Sequence, residues 1–180
     1  YGCAGQRCLA AAVAVGVGDA YDALRDTLVE KTRALKVGYG LDETTQVGTV
    51  VSGAAKERIE RMIQAAVDDG ATITVDGRNL TIEGYENGSF VGPTILENVT
   101  PDMAIARDEV FGPVLALMRA DDFEESVEIV NKSPFGNAAS IFTRDGKAAR
   151  AFQYTVNAGN IGVNIGVAAP SASFPFGGQK

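Results

Sequence analysis

The stretch Gly5-Gln6-Arg7-Cys8-Leu9-Ala10-Ala11-Ala12-Val13-Ala14-Val15-Gly16-Val17-Gly18 decides how this chain is read. Its first residues set a guanidinium beside a thiol. Residues 9–18 are small and apolar, β-branched toward the end, with little alternation, which suits a strand buried on both faces. A loop feeding such a strand holds its side chains at a sheet edge with backbone N–H groups close by. A thiol attacks carbon as thiolate, and a neighbouring guanidinium favours that ionised form. A free cysteine in a globular protein is more often a small buried hydrophobe than a nucleophile, and the local sequence alone favours that reading. Arg7 in turn can lower the thiol pKa, bind a carboxylate, or form a structural ion pair. The local residues leave these roles of Arg7 open.

Working outward, Asp19 is placed to cap a helix running to Lys36, with Tyr21, Leu24, Leu28 and Leu35 on one stripe and Gly38 closing it. Residues 38–51 read as a polar loop. Ser52 then opens the clearest helix: Ile59, Met62, Ile63, Ala66 and Val67 keep helical spacing, and Gly70 ends it. Residues 72–75 and 80–83 flank Asp76-Gly77, a hairpin signal. Residues 90–96 and 114–118 read as strands. Asp122-x-x-Glu125 is an Asp version of the capping box, with Phe123, Val127 and Val130 lining its helix. A strand at 138–142, a helix at 144–154 and a strand at 160–165 complete the pattern. Strands alternating with helices predict an α/β fold: a mostly parallel sheet flanked by helices, with a β-hairpin excursion.

The 180 residues are 46% hydrophobic and 22% charged, a globular composition. That length predicts one domain, long enough to bury a core. The net charge of −7 argues against nucleic acid and anionic membrane as partners. No apolar run reaches membrane-spanning length, and with no signal-like segment a cytoplasmic setting, or the matrix in a eukaryote, is expected. Cys3 and Cys8 are too few and too close for a disulfide scaffold. Four Asn-x-Ser/Thr matches, at Asn79, Asn87, Asn98 and Asn131, read as chance. The chain contains no histidine, so Cys-His and Ser-His-Asp catalysis and His-ligated zinc are excluded within it. If Cys8 is a nucleophile, charge, backbone dipoles, a carboxylate or a group elsewhere activates it. A start at Tyr1 inside a motif, with a stop just past a Gly pair, is the pattern expected of a piece of a longer polypeptide.

Two further stretches can carry chemistry. Asp108-Glu109-Val110-Phe111-Gly112-Pro113 puts a carboxylate and a ring on a tight turn before a strand. A carboxylate held so accepts bonds from vicinal hydroxyls such as those of a ribose; a solvated acidic turn with a core Phe is the alternative. Gly159-Asn160-Ile161-Gly162-Val163-Asn164-Ile165-Gly166, followed by Phe174-Pro175-Phe176-Gly177-Gly178, has neither dinucleotide-fold nor P-loop glycine spacing. Its glycines permit close backbone approach, and Phe-Pro-Phe suits the apolar wall of a substrate tunnel or an ordinary core contact.

The order and separation of these stretches resemble the aldehyde dehydrogenase superfamily. Gly-Gln-x-Cys stands near the start, Glu-Val-Phe-Gly-Pro about a hundred residues later, then Gly-x-x-x-Val-Asn, and Pro-Phe-Gly-Gly-x-Lys at the end. The runs Gly92-Pro93-Thr94-Ile95-Leu96 and Asn137-Ala138-Ala139-Ser140-Ile141-Phe142-Thr143 also look like that superfamily. The resemblance spans the whole chain, which would be the thiol-bearing catalytic domain (1–180) without the upstream dinucleotide-binding domain. Arg7 directly before the cysteine, Gly162-Val163-Asn164-Ile165-Gly166 and Phe174-Pro175-Phe176-Gly177-Gly178 look most like the CoA-acylating branch that handles methylmalonate semialdehyde; Gly-Gln-Arg-Cys also resembles the aminoadipic semialdehyde branch, so the two later segments carry the choice. Cys3 and the pair Ala168-Ala169 before Pro170 depart from that branch's pattern.

The resemblance implies a mechanism and a set of residues for it. Cys8 attacks the aldehyde, hydride passes to NAD, and a thioacyl enzyme results. Loss of carbon dioxide and transfer to CoA as co-substrate then yield acetyl-CoA or propionyl-CoA from malonate or methylmalonate semialdehyde. Arg7 would hold the substrate carboxylate by paired hydrogen bonds. The backbone N–H of Cys8 would be half of the oxyanion hole. Glu109 would bind the nicotinamide ribose, with Phe111 packed beside it, and Phe176 would line the aldehyde tunnel. Gly5, Gln6 and Asn164 would support these groups. The complete protein is expected to be a homo-oligomer, and the segment alone to be inactive. A hydrolytic dehydrogenase for another acidic semialdehyde, a non-catalytic module of the same fold, and a redox switch between Cys3 and Cys8 are the competing readings.

Overall fold

Ser52 behaves as a residue in front of an amphipathic run should: its Oγ accepts the N–H of Ala55 at 3.2 Å and opens helix α2, Gly53–Asp68. In the computed structural model, which describes residues 1–166 and 171–180, Ile59, Ile63 and Ala66 of this helix are buried. Ala168 and Ala169 lie outside the described residues. Gly70, at φ +106, closes α2 in the left-handed conformation. The N–H of Ala71 reaches the carbonyl of Ala66, and that of Gly70 the carbonyl of Val67, both at 2.9 Å. This is a Schellman ending, which satisfies carbonyls the helix leaves over.

The chain divides into two compact units, Tyr1–Arg119 and Ala120–Lys180. The first unit carries a four-stranded sheet in the order β1-β4-β3-β2, with β1 Val13–Val17, β2 Thr72–Val75, β3 Thr94–Glu97 and β4 Val114–Ala120. Strands β3 and β4 run parallel, Thr94 opposite Val114, while β2 runs antiparallel to β3. Helix α1, Ala20–Arg33, packs on β1 and β2. Its Tyr21 is buried with Ile95, Leu115 and Leu117, and Leu28 and Val29 pack against that cluster. Alternate residues of β4 thus point to α1, as the two-residue strand period requires. The short helix α3, Ala104–Arg107, packs on α2.

Several expectations are corrected here. The strand anticipated over residues 9–18 is confined to β1, an edge strand in which Val13 is exposed and only Gly16 is buried. A turn, Ala10 N–H to Arg7 carbonyl at 2.8 Å, occupies its first residues. Asp19 makes no side-chain cap on α1, which stops at Arg33, and the N–H of Gly38 bonds Val47 instead of closing that helix. The β-hairpin excursion exists as the antiparallel β2–β3 pair, but residues 80–83 form no strand. Arg78 doubles back onto the Asp76 carboxylate (Nε at 2.9 Å, Nη2 at 2.6 Å). Meanwhile Gly77 lies against Gly92, whose N–H bonds its carbonyl at 2.8 Å. The Asp-Gly pair is therefore spent on a distant backbone and cannot form a two-residue turn.

The second unit holds α4 Phe123–Lys132, β5 Ala138–Ile141, α5 Gly146–Thr155 and β6 Asn160–Val163. Strands β5 and β6 are parallel, Ala138 opposite Asn160, with α5 as the crossover such a pair needs. Phe152, Val156 and Ala158 form its core, covered by Phe123, Val127, Val130, Ala139, Ile141 and Ile161. Asp122 Oδ1 accepts the N–H of Glu125 at 2.8 Å; Glu125 reaches back to the N–H of Asp121, one residue earlier than the usual box.

Candidate active site

In the first unit two loops far apart in sequence are joined residue against residue. The loop that carries Cys8 begins with a short 3₁₀ turn, Gly2–Gly5, in which Cys3 and Ala4 sit at φ 53 and Gly5 at φ 70. Gly5 needs its missing side chain, because a Cβ there would stand 1.9 Å from the carbonyl oxygen of Gly112. Gln6 follows, and its amide spans two partners. Its Oε1 accepts the N–H of Val51 at 2.7 Å, and its Nε2 donates to the carbonyl of Phe111 at 3.2 Å. Arg7 and Cys8 come next, both exposed, in the turn that leads to β1. No disulfide joins Cys3 and Cys8, and both are exposed. Arg7 forms no ion pair among the described residues. The structural ion pair is therefore not its role within them.

The opposing turn, residues 109–113, runs from the end of α3 into β4. Val110, Gly112 and Pro113 are buried while Glu109 and Phe111 are exposed, so burial of the intervening residues turns the carboxylate and the ring outward. Phe111 is held at φ 47, a costly conformation for an aromatic residue unless neighbours enforce it. The enforcement is visible. Arg58, on α2, donates to the carbonyl of Glu109 at 3.3 Å and to that of Val110, while Gln6 takes the carbonyl of Phe111. Three consecutive carbonyls are thus bonded to two side chains. Pro113 then passes its own carbonyl to the N–H of Thr94 at 2.8 Å, tying the turn to the sheet. Arg58, which holds this turn, is a residue the sequence does not single out. Its signal was faint: a cation on a helix whose other face is apolar, with nothing local to say what it reaches.

Asn164 and Phe176 belong to the second unit. Asn164, at φ 55, bonds both backbone groups of Thr143 through its amide, accepting from the N–H at 2.8 Å and donating to the carbonyl at 2.9 Å. It acts as an extra rung between the ends of β5 and β6. The segment carrying Phe176 is anchored by other groups. Gly177 lies against Gly159, and the N–H of Gln179 bonds the carbonyl of Gly136 at 3.2 Å. The Lys180 ammonium takes the carbonyls of Val130, Asn131 and Ser133 at 3.2, 2.9 and 2.8 Å, a cation at the end of α4 where the helix dipole favours one. Phe176 itself is 55% exposed.

Among the described residues no group of three His, Cys, Asp or Glu could hold a metal ion, and no helix is long and apolar enough to cross a membrane. The arrangement presents a thiol and a guanidinium on one loop, fastened to a turn that presents a carboxylate and a ring. A sequence profile of the Aldehyde dehydrogenase family matches residues 1–180.

The chain belongs to the aldehyde dehydrogenase family.

Within it, the chain is 50% identical over 180 residues to the mitochondrial acylating methylmalonate-semialdehyde dehydrogenase of Arabidopsis thaliana, covering all of this chain and 30% of that protein. It is 46% identical to malonate-semialdehyde dehydrogenase 2 of Geobacillus kaustophilus, covering all of this chain and 37% of the relative. A Sinorhizobium meliloti chain named for methylmalonate-semialdehyde dehydrogenase and solved with NAD superposes with a TM-score of 0.97 at 44% identity, over all of this chain and 37% of that one. This aldehyde dehydrogenase chain thus spans about a third of the length of these relatives. The α/β expectation and the superfamily resemblance are both borne out.

Proposed function

We propose that the complete protein oxidises malonate or methylmalonate semialdehyde to acetyl-CoA or propionyl-CoA, with Cys8 as the nucleophile. The observation that carries this reading is the junction of Gly5-Gln6 with Phe111-Gly112, which fastens the thiol loop to the turn bearing Glu109. The names of the most similar relatives support the substrate class.

Glu109 and Phe111 fit a nucleotide ribose. The carboxylate is exposed, and the carbonyls of its turn already have partners in Arg58 and Gln6, so the turn need not reorganise to receive a ligand. Glu109 and Phe111 would hold NAD there, and NAD would supply the hydride acceptor for oxidation of the Cys8 thiohemiacetal to a thioester. Cys8 forms the C–S bond as thiolate, and its own N–H stabilises the oxyanion that develops. Arg7 holds the substrate carboxylate until the thioester forms. The carboxylate then lies β to a thioester carbonyl, which accepts the electron pair as carbon dioxide departs, and the enolate is protonated. The thiol of CoA finally displaces Cys8, returning the thiolate.

Product analysis on the complete protein tests this. Acyl-CoA, carbon dioxide and NADH formed in equal amounts are expected. Free acid released in the presence of CoA would mean a hydrolytic enzyme, and no NADH at all a module without catalysis.

A further inference from the structure

The two hydrogen bonds of Gln6 join segments 45 and 105 residues away in sequence. Its acceptor holds Val51, the residue before the Ser52 cap of α2. Its donor holds Phe111, the residue at φ 47 on the Glu109 turn. The same α2 carries Arg58, which holds the carbonyls of Glu109 and Val110. Gln6 therefore closes a circuit: nucleophile loop to helix α2, α2 to the carboxylate turn, and the turn back to the nucleophile loop.

We propose that Gln6 is a positioning residue which sets the Cys8 loop and the Glu109 turn in one fixed register, so that the thiol and the ribose-binding carboxylate are placed by the same amide. This deepens, and rests on, the reading of Cys8 as nucleophile and Glu109 as ribose ligand. Only a side chain with an acceptor and a donor on one planar head, at glutamine length, serves both partners. Asparagine is one methylene short. A carboxylate keeps the bond from Val51 but turns an oxygen toward the Phe111 carbonyl. Protonation of that carboxylate restores a donor.

The test uses the complete protein with Gln6→Glu and Gln6→Ala, each checked for unchanged circular dichroism. At neutral pH both variants should raise KM for NAD and lower kcat, together cutting kcat/KM by about 10- to 100-fold, the range for a hydrogen-bonded group left facing an oxygen without a donor. As pH falls toward the carboxyl pKa, the ratio of Gln6→Glu to wild-type kcat/KM should climb, whereas the ratio for Gln6→Ala should stay flat. A purely structural glutamine gives no such pH-dependent recovery. Two readouts need no turnover: iodoacetamide alkylation of Cys8, and NADH binding followed by fluorescence. Both should change at least severalfold in Gln6→Glu at neutral pH and return toward wild type at lower pH. Parallel pH profiles for the two variants, or unchanged alkylation and NADH binding, overturn the proposal. A wild-type protein without dehydrogenase activity overturns the functional reading, and the alkylation comparison still decides the role of Gln6.

Discussion

Replacing Gly5 by Ala isolates the contact on which the site depends. Gly5 lies at φ 70, where an L residue costs about 1–2 kcal/mol. The added Cβ would lie 1.9 Å from Gly112 oxygen, 2.2 Å from its carbon and 2.8 Å from Pro113 nitrogen, all backbone atoms. Ordinary van der Waals contact between carbon and oxygen is roughly 3.3 Å, so one loop must retreat by over about 1 Å, and no rotamer change relieves the clash. Overpacking of this sort costs a further ~1–3 kcal/mol. Together these give about 2–5 kcal/mol. The strain falls on the junction between the thiol loop and the Glu109 turn, where a displacement of about 1 Å can cost on the order of 100-fold in rate. Gly2→Ala in the same loop is the control, since no atom lies within 4 Å of a Cβ there. The assay is kcat/KM of the complete protein with semialdehyde and NAD, alongside its melting temperature. Gly5→Ala should lose about 100-fold in kcat/KM and melt several degrees lower, while Gly2→Ala matches the parent. A Gly5→Ala protein with the parent's kcat/KM and melting temperature would refute the fastening of the two loops.

Three further outcomes are expected. Arg58→Met keeps the stem but removes the donors to Glu109 and Val110; charge-assisted bonds of this kind are worth about 1.5–3 kcal/mol. NADH titration should show affinity reduced by about tenfold or more, and a dissociation constant within twofold of the parent's contradicts the clamp. Tyr1 is held by burial at a pKa of about 12, its hydroxyl donating to Thr94 and accepting from Thr32. The folded state therefore favours the neutral phenol. Its contribution is complete below pH ~10 and is lost as pH rises from there to about 12, up to roughly 3 kcal/mol in all. Urea midpoints at pH 9 and pH 11.5 should differ less in Tyr1→Phe than in the parent, and equal slopes would show that the phenol stays solvated. Lys180→Met removes a cation from three carbonyls at the end of α4. Amide exchange in the last turn of that helix should quicken by about fivefold, and unchanged protection there counts against the cap.

What could be read from the sequence was what is local. Ser52, Gly70 and Asp122 act on atoms within a few residues, and each does what its neighbours predict. The Asp76-Gly77 hairpin failed because its outcome was decided at Gly92 and Arg78, and a turn signal carries no information about a distant backbone that fits the same glycine. The strand at residues 9–18 was over-extended for a related reason: small apolar residues suit both a buried strand and the turn that here precedes an edge strand. In the candidate site, the residue types at Cys8, Arg7 and Glu109 were legible through motif order. The bonds from Gln6 and Arg58 were not, because each crosses a sequence separation over which no periodicity holds.

Those two side chains also explain why the Glu109 turn can be both rigid and open. A turn with Phe111 at positive φ would relax if its carbonyls were left to water. Burying the turn to hold it would hide Glu109 and Phe111. Bonding the carbonyls of residues 109, 110 and 111 from beneath resolves the conflict, because backbone is fixed while side chains remain exposed. The Cys8 loop uses a related device: Gly5 and Gln6 are engaged with the turn, and Arg7 and Cys8, next in the chain, are exposed. In both segments the residues that anchor are distinct from the residues that present. Substitutions at Gln6 or Arg58 should therefore misplace the chemistry without removing any group that performs it.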